Sequence, residues 1–229
     1  MPKKNFICLA NSMKNGGRCI AGKIVNSSGE IEGWIRPISK RITEELNVQE
    51  RLYRDKTDPK LLDLIEVEVE IAKPHLHQQE NWIISDQTRM IKKGVIPKNA
   101  IRNLLDKTET LWSTGSSSNL GVNDRVSPTE LSVFKTSLYF IEVEELLIFK
   151  NYYYDKVDLR GQFIFENSVY KFKITDPDFR SSISTLAFGK YFIESAFLTV
   201  SLAESEYKGF FYKLIAGIIP MSGVIAANE

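Results

Sequence analysis

The sequence predicts an all-β protein with minor helices, arranged as two Greek-key β-barrels in tandem. Three observations carry that prediction. Short β-type runs separated by turn residues recur along the whole chain. Residues 64–71 alternate strictly, with Ile65, Val67, Val69 and Ile71 on one face and Glu66, Glu68 and Glu70 on the other. The second half holds five β-type runs, and its one long connection falls between the third and fourth.

Composition agrees with a globular chain. It has 229 residues, 43% hydrophobic and 26% charged, enough for one large or two small domains. Formal net charge is +1, which excludes a strongly basic nucleic-acid binder. The charge is uneven: residues 1–60 hold 12 Lys/Arg and 7 Asp/Glu, whereas 61–70 hold four acids and no base. An anion site is therefore expected on the N-terminal part. Cys8 and Cys19 have no CxxC spacing and read as buried thiols in a reducing cytoplasm. The apolar stretch after Lys3 and Lys4 is too short for a signal peptide, and 214–227 is interrupted by Pro220, so no membrane partner is expected.

Taken in order, the elements begin with β-type runs at 6–9, 18–25 and 31–35, the last two joined by Asn26-Ser27-Ser28-Gly29. A helix-compatible stretch follows at 42–53, with Thr43 as its candidate N-cap. After the 64–71 strand, 81–85 is the candidate fifth strand of the first half. Residues 97–108 predict a short helix with Ile101, Leu104 and Leu105 inward. The polar run 114–119 reads as a linker. A long strand at 137–149, a hairpin of 157–165 and 169–174, and strands at 194–202 and 210–219 complete the set. This strand order is that of an OB-like barrel. The predicted domains are a first OB-like barrel over 1–113, an inter-domain loop over 114–127 and a second OB-like barrel over 128–229.

Chemistry-bearing residues concentrate near the N-terminus. The turn Asn11, Lys14, Gly16, Gly17 and Arg18 could hold an anion against backbone N–H groups, and it reads equally as an ordinary hairpin turn. Trp34 offers a stacking face or a barrel-wall residue, and Arg36 a ligand cation or an ion-pair partner. His75 and His77 would share a face on a strand, but no further ligand stands at a diagnostic spacing, so no metal or cofactor is expected. Gln78 and Asn81 can address a base edge or satisfy buried backbone. Asn123 and Arg125 suit a ligand-facing loop or an ion-pair lock. Tyr152, Tyr153 and Tyr154 fall at a hairpin tip that could stack bases or meet a protein. No P-loop, GxGxxG, HExxH or GxSxG pattern occurs, and no catalytic dyad stands out.

The fragments CLANS, GGRCIAGK, GWIRPIS, LLDLIEVE, PHLHQQEN, NDRV, SLYFIEVEELLI, ITDP and YKLIAGII occur in an order that resembles the dual OB-containing domain of bacteria, across residues 5–219. The resemblance implies two OB-type barrels and a nucleic-acid-binding or sensing module in phage-defence settings. It supplies no catalytic residues.

The sequence therefore predicts a non-enzymatic recognition module for nucleic acid or a nucleotide, with a short or single-stranded ligand preferred to a long duplex. The first barrel is expected to hold the site, Lys14 and Arg18 meeting phosphate, Trp34 stacking, and Arg36, Gln78 and Asn81 orienting the base. Two alternatives remain: a module docking to a helicase, nuclease or ATPase partner, and a metal-dependent hydrolase.

Overall fold

The computed structural model describes residues 1–14, 16–85 and 89–227. The chain divides into two compact units, Met1–Leu104 and Leu105–Glu229.

In the first unit, β1 (Lys3–Lys14), β2 (Gly17–Val25) and β3 (Ile31–Ile38) form an antiparallel meander. Helix α1 (Val48–Arg51) crosses to β4 (Asp63–Ala72), which is followed by β5 (Asn81–Ile84) and β6 (Ile91–Val95). Strand β5 lies parallel to β3, from Arg36↔Asn81 to Ile38↔Ile83, and antiparallel to β4. Strand β4 then returns to β1, from Lys3↔Glu68 to Ile7↔Leu64. The order β1-β2-β3-β5-β4-β1 closes a five-stranded barrel, and β6 adds to the edge of β4. Alternation does the sorting: Ile65, Val67 and Val69 enter the core with Phe6, Cys8, Ile20 and Ile35, while the intervening glutamates stay outside; a register shift after Val69 ends the pattern, and Ile71, expected on the inward face, is exposed.

Three elements differ from the sequence expectation. Strand β1 runs to Lys14, well beyond the 6–9 core, because its outer half is held by the hairpin with β2. Helix α1 starts at Val48 and its cap is Asn47, which forms a capping box with Glu50, so Thr43 is not the cap. Residues Lys98–Leu104 form a 3₁₀ helix, shorter than the stretch expected, with Ile101 and Leu104 buried.

The second unit opens with β7 (Arg125–Val126) and a 3₁₀ helix at Pro128–Val133. Strands β8 (Leu138–Val143), β9 (Leu146–Tyr153), β10 (Lys156–Phe165) and β11 (Ser168–Ile174) follow. Helix α2 (Pro177–Ser182) leads to β12 (Gly189–Ile193), β13 (Ala196–Leu202), β14 (Phe211–Pro220) and β15 (Ile225–Ala226). Exposed Glu144 and Glu145 split the long strand expected at 137–149 into β8 and β9. The break does not change register. Ser201↔Leu138 to Ala196↔Val143 continues as Ile193↔Leu146 to Gly189↔Lys150. Residues 138–153 are thus one bent first strand, and 189–202 one bent fourth strand. With β10, β11 and β14 between them, and β11 parallel to β14, this barrel closes in the same order as the first. The polar run 114–119 folds onto it: Asp124 Oδ1 accepts from Ser118 N at 2.7 Å, and Asn123 Oδ1 from Gly115 N at 2.6 Å. After Pro220 the chain forms β15, which pairs with β12.

Buried polar groups fix α2 at both ends. Asp176 Oδ1 accepts from the N–H groups of Asp178 and Phe179, and Oδ2 from Ile218 N at 3.0 Å on β14. At the other end, the Lys150 ammonium donates to the carbonyls of Ile183, Ser184 and Leu186, matching its three protons to helix-end acceptors. Asp176→Ala removes the cap and strands Ile218 N, so we expect a loss of about 1–3 kcal/mol. A thermal melt showing an unchanged Tm would contradict the clamp.

Candidate functional site

In an OB barrel, ligands meet the face of the second and third strands, flanked by the first–second and fourth–fifth loops. In the first barrel most of the sequence-predicted residues fall on these elements, but several of them are turned to structural work. Lys14 pairs with Gly17 across the hairpin, and Gly16 takes the left-handed backbone (φ 86°) that its turn requires. A Cβ on Gly17 would meet Glu45 Cγ at 2.5 Å, so this glycine admits the 45–46 segment, whose Leu46 bridges Arg18. Asn11 is buried and donates to Pro59 O at 2.7 Å. Trp34 is half-buried beneath the Lys23 ammonium, 4.9 Å from its ring centroid.

Arg36 is fully inside. Its guanidinium pairs with Glu80 at 3.0 Å, both side chains at most 5% exposed, and donates to Asn81 Oδ1 at 3.4 Å. Asn81 Nδ2 donates to Gln78 Oε1 at 3.2 Å, and Arg36 N to Glu80 O at 2.8 Å. These groups cross-link the parallel β3–β5 pair and present no edge to solvent. His75 is exposed and His77 buried, because a turn bridging His75 and Gln78 replaces the strand on which they would share a face. No three metal-ligating side chains cluster among the described residues.

Part of the positive excess of residues 1–60 is also engaged. Lys3 pairs with Glu66 and Lys40 with Glu70, both outside that segment, while Arg41 pairs with Glu50 and Arg51 with Asp58 inside it. The acidic outer face of β4 folds back onto the basic N-terminal segment.

The second barrel is arranged differently. A cavity of about 560 Å³ opens on its second- and third-strand face. Arg160 reaches it from β10, Lys173 from β11 and Arg125 from β7; Tyr212 and Lys213 come from β14. Tyr153 stands at the first–second turn, where Tyr154 and Asp155 both have positive φ, and Tyr207 and Lys208 lie on the fourth–fifth loop. Residues 105–229 carry 12 Lys/Arg against 16 Asp/Glu, yet among the described residues five of those Lys/Arg and one acid, Asp124, line this cavity. Asp124 is buried and spoken for: it accepts from Ser118 N and Oγ, with the Arg160 guanidinium at 3.7 Å. Asp158 holds Arg160 Nε at 2.8 Å and so fixes the guanidinium in place. Lys173 and Lys208 are exposed.

Of the residues predicted in this unit, Arg125 and Tyr153 line the cavity; the Arg125 guanidinium donates to Ser116 Oγ and stacks 3.8 Å from the Phe210 ring centroid. Asn123 is a loop brace that donates to Val169 O at 2.9 Å. The cations on β10 and β11 were readable in principle: Arg160 and Lys173 alternate with inward Leu159, Gly161, Phe172 and Ile174.

The architecture now has a counterpart among known proteins. A family model described as dual OB-containing domain matches residues 4–218. The chain belongs to the dual OB-containing domain family. No curated protein matches the sequence. Among solved structures, "Structure of murine DNA binding protein bound with ds DNA" is similar at 11% identity and a TM-score of 0.33, over 99% of this chain and 100% of that one. "Crystal structure of the tetrameric p202 HIN2" is similar at 7% identity and a TM-score of 0.29, over 99% and 94%. Both likenesses are too distant to inform the site of this dual OB protein.

Two variants probe this geometry. Arg36→Ala leaves the Glu80 carboxylate buried without its counter-ion, so the first barrel should lose about 3–5 kcal/mol. Equilibrium denaturation checks this; a variant as stable as wild type would return Arg36 to the candidate ligand residues. The second concerns Lys213, 1% exposed, whose ammonium donates to Ser113 O. Burial brings it down to about 7 from 10.5, against the opposing pull of Asp124 and Glu130. Between those values the unfolded chain binds the proton and the folded chain does not, so this group's contribution to stability rises with pH across that window. Below it the cost of burying the ammonium is felt in full. Lys213→Met should remove this component, seen as a flatter Tm–pH profile than wild type.

Proposed function

We propose that the protein is a non-catalytic recognition module that binds single-stranded nucleic acid, or a nucleotide, on the ligand face of its second barrel. One observation carries the reading: basic side chains and tyrosines from five strands and one loop converge on one cavity of an otherwise acidic unit. Lys173 and Lys208 meet phosphate, while Arg160, braced by Asp158 and Asp124, offers a fixed guanidinium. Tyr153 and Tyr207 supply stacking faces. Stacking on tyrosine needs unpaired bases, which favours a single strand over a duplex. The location departs from the first-barrel site expected from sequence, since that barrel commits its corresponding polar groups to its own closure.

Docking of a protein partner is a second reading, supported by Tyr154 at 82% and Tyr152 at 62% exposed. Fluorescence anisotropy with a labelled oligonucleotide of about eight nucleotides separates the two. We expect Lys173→Ala combined with Lys208→Ala to weaken binding by at least about tenfold. The log–log salt slope should become shallower by about 0.7 for each phosphate that the variant leaves unneutralised. Arg18→Ala, in the first barrel, should bind as wild type. Absence of any salt-sensitive binding would defeat the reading and leave the partner surface as the better one.

A further inference from the structure

The basic surface does not stop at the cavity. Strand pairing sets Lys190 of β12 beside Phe149 of β9, Phe149 beside Arg160 of β10, Arg160 beside Lys173 of β11, and Lys173 beside Leu214 of β14. Directly paired residues project on the same side of a sheet, so these five form one row across the outer face. At about 4.8 Å per strand, the row runs about 19 Å along the sheet. Lys171, one pleat along β11, lays its ammonium 3.7 Å from the Phe149 ring centroid. Beyond Phe149 the row enters a second cavity of about 490 Å³, with Phe188 and Lys190 on its walls. Phe188 is 57% exposed and meets Tyr152 edge-on at 5.8 Å.

We propose that this row is a track for a single polynucleotide strand, and that the second cavity is a further nucleotide subsite, with Lys190 on phosphate and Phe188 stacking a base. The proposal rests on the ligand class assigned above and extends it to a footprint that includes the first and fourth strands. Three features support it. The row places three cations, Lys190, Arg160 and Lys173, along the path a phosphate backbone would follow, and the exposed Phe188 ring lies beside its Lys190 end. Its length accommodates on the order of four nucleotides, the lower end of what one OB fold covers. Positive charge is also crowded here: burial first, then Arg160 and Lys190 lower the Lys171 pKa, against the opposing pull of Asp158.

The test is a length series of labelled oligothymidylates, from about two to about twelve nucleotides, against wild type, Lys190→Ala and Phe188→Ala. Both side chains are exposed, and a thermal melt verifies folding. Wild-type affinity should climb until the strand spans both cavities and then level off. Each variant should lose about tenfold on long strands and nothing on the dinucleotide. The Lys190→Ala salt slope on long strands should also be shallower by about 0.7. If both variants bind long strands as wild type does, while the Lys173/Lys208 double variant is still impaired, the track is wrong and the first cavity stands. If no oligothymidylate of any length binds, the ligand class itself is wrong.

Discussion

Each barrel depends on a short parallel seam between its third and fifth strands. Every other neighbour pair is antiparallel, and several belong to hairpins that local chain folding brings together. The seam joins strands separated by the whole α1–β4 or α2–β13 excursion, and it offers three pairs in the first barrel and two in the second. So few backbone bonds are a weak closure, and both barrels reinforce it with buried polar side chains. In the first, Arg36, Glu80, Asn81 and Gln78 cross-link β3 and β5. In the second, Thr175 Oγ1 donates to Ile215 O at 3.1 Å and Asp176 reaches Ile218 N. The groups are costly to bury unless fully paired, and that pairing exists only when the strands are in register. The seam therefore specifies the barrel as well as holding it.

The seam also determines which barrel has polar groups to spare. The fourth–fifth loop of the first barrel ends in Glu80 and Asn81, which turn inward to meet Arg36. The equivalent loop of the second barrel ends in a hairpin of its own, with Tyr207 bridged to Phe210 and Lys208 exposed at the turn. One loop is consumed in closing its barrel, and the other projects side chains from it. The same contrast holds for the third strands, where Arg36 is buried and Lys173 stands in solvent.

Legibility in the sequence followed the range of the interactions. The 64–71 strand, the hairpin at 157–174 and the order of the second barrel were readable because period-two alternation and turn residues are local signals. The family resemblance and the two-barrel fold also stood. The 144–145 break in the first strand of the second barrel was not readable, since SLYFIEVEELLI continues the strand pattern through it. The candidate site was harder. A count of charges over 1–60 saw an excess of bases but not the acids of β4, nor Glu80 just before β5, that fold back to pair with some of them. Conversely, Tyr153, Arg160, Lys173, Lys208 and Tyr212 are spread over about sixty residues in which acids are at least as common. Nothing local marks them as one group; the barrel does that by placing β10, β11 and β14 side by side.

The charge of the second unit sharpens what its face can accept. Sixteen acids against 12 bases give the unit a repulsive field toward any polyanion at a distance. That field is screened over about 10 Å at ordinary salt, so attraction wins only where the cations of the row are in direct contact with phosphate. On the proposed reading a long duplex would carry many phosphates past the row and into the field of the unit's acids. On the same reading a short single strand would touch the row, with its bases turned onto Tyr153 and Tyr207. On the proposed ligand class, the acidic surroundings thus act as a filter. They suppress sequence-independent association with bulk nucleic acid, and they leave affinity to the few contacts that the closed barrel holds in register.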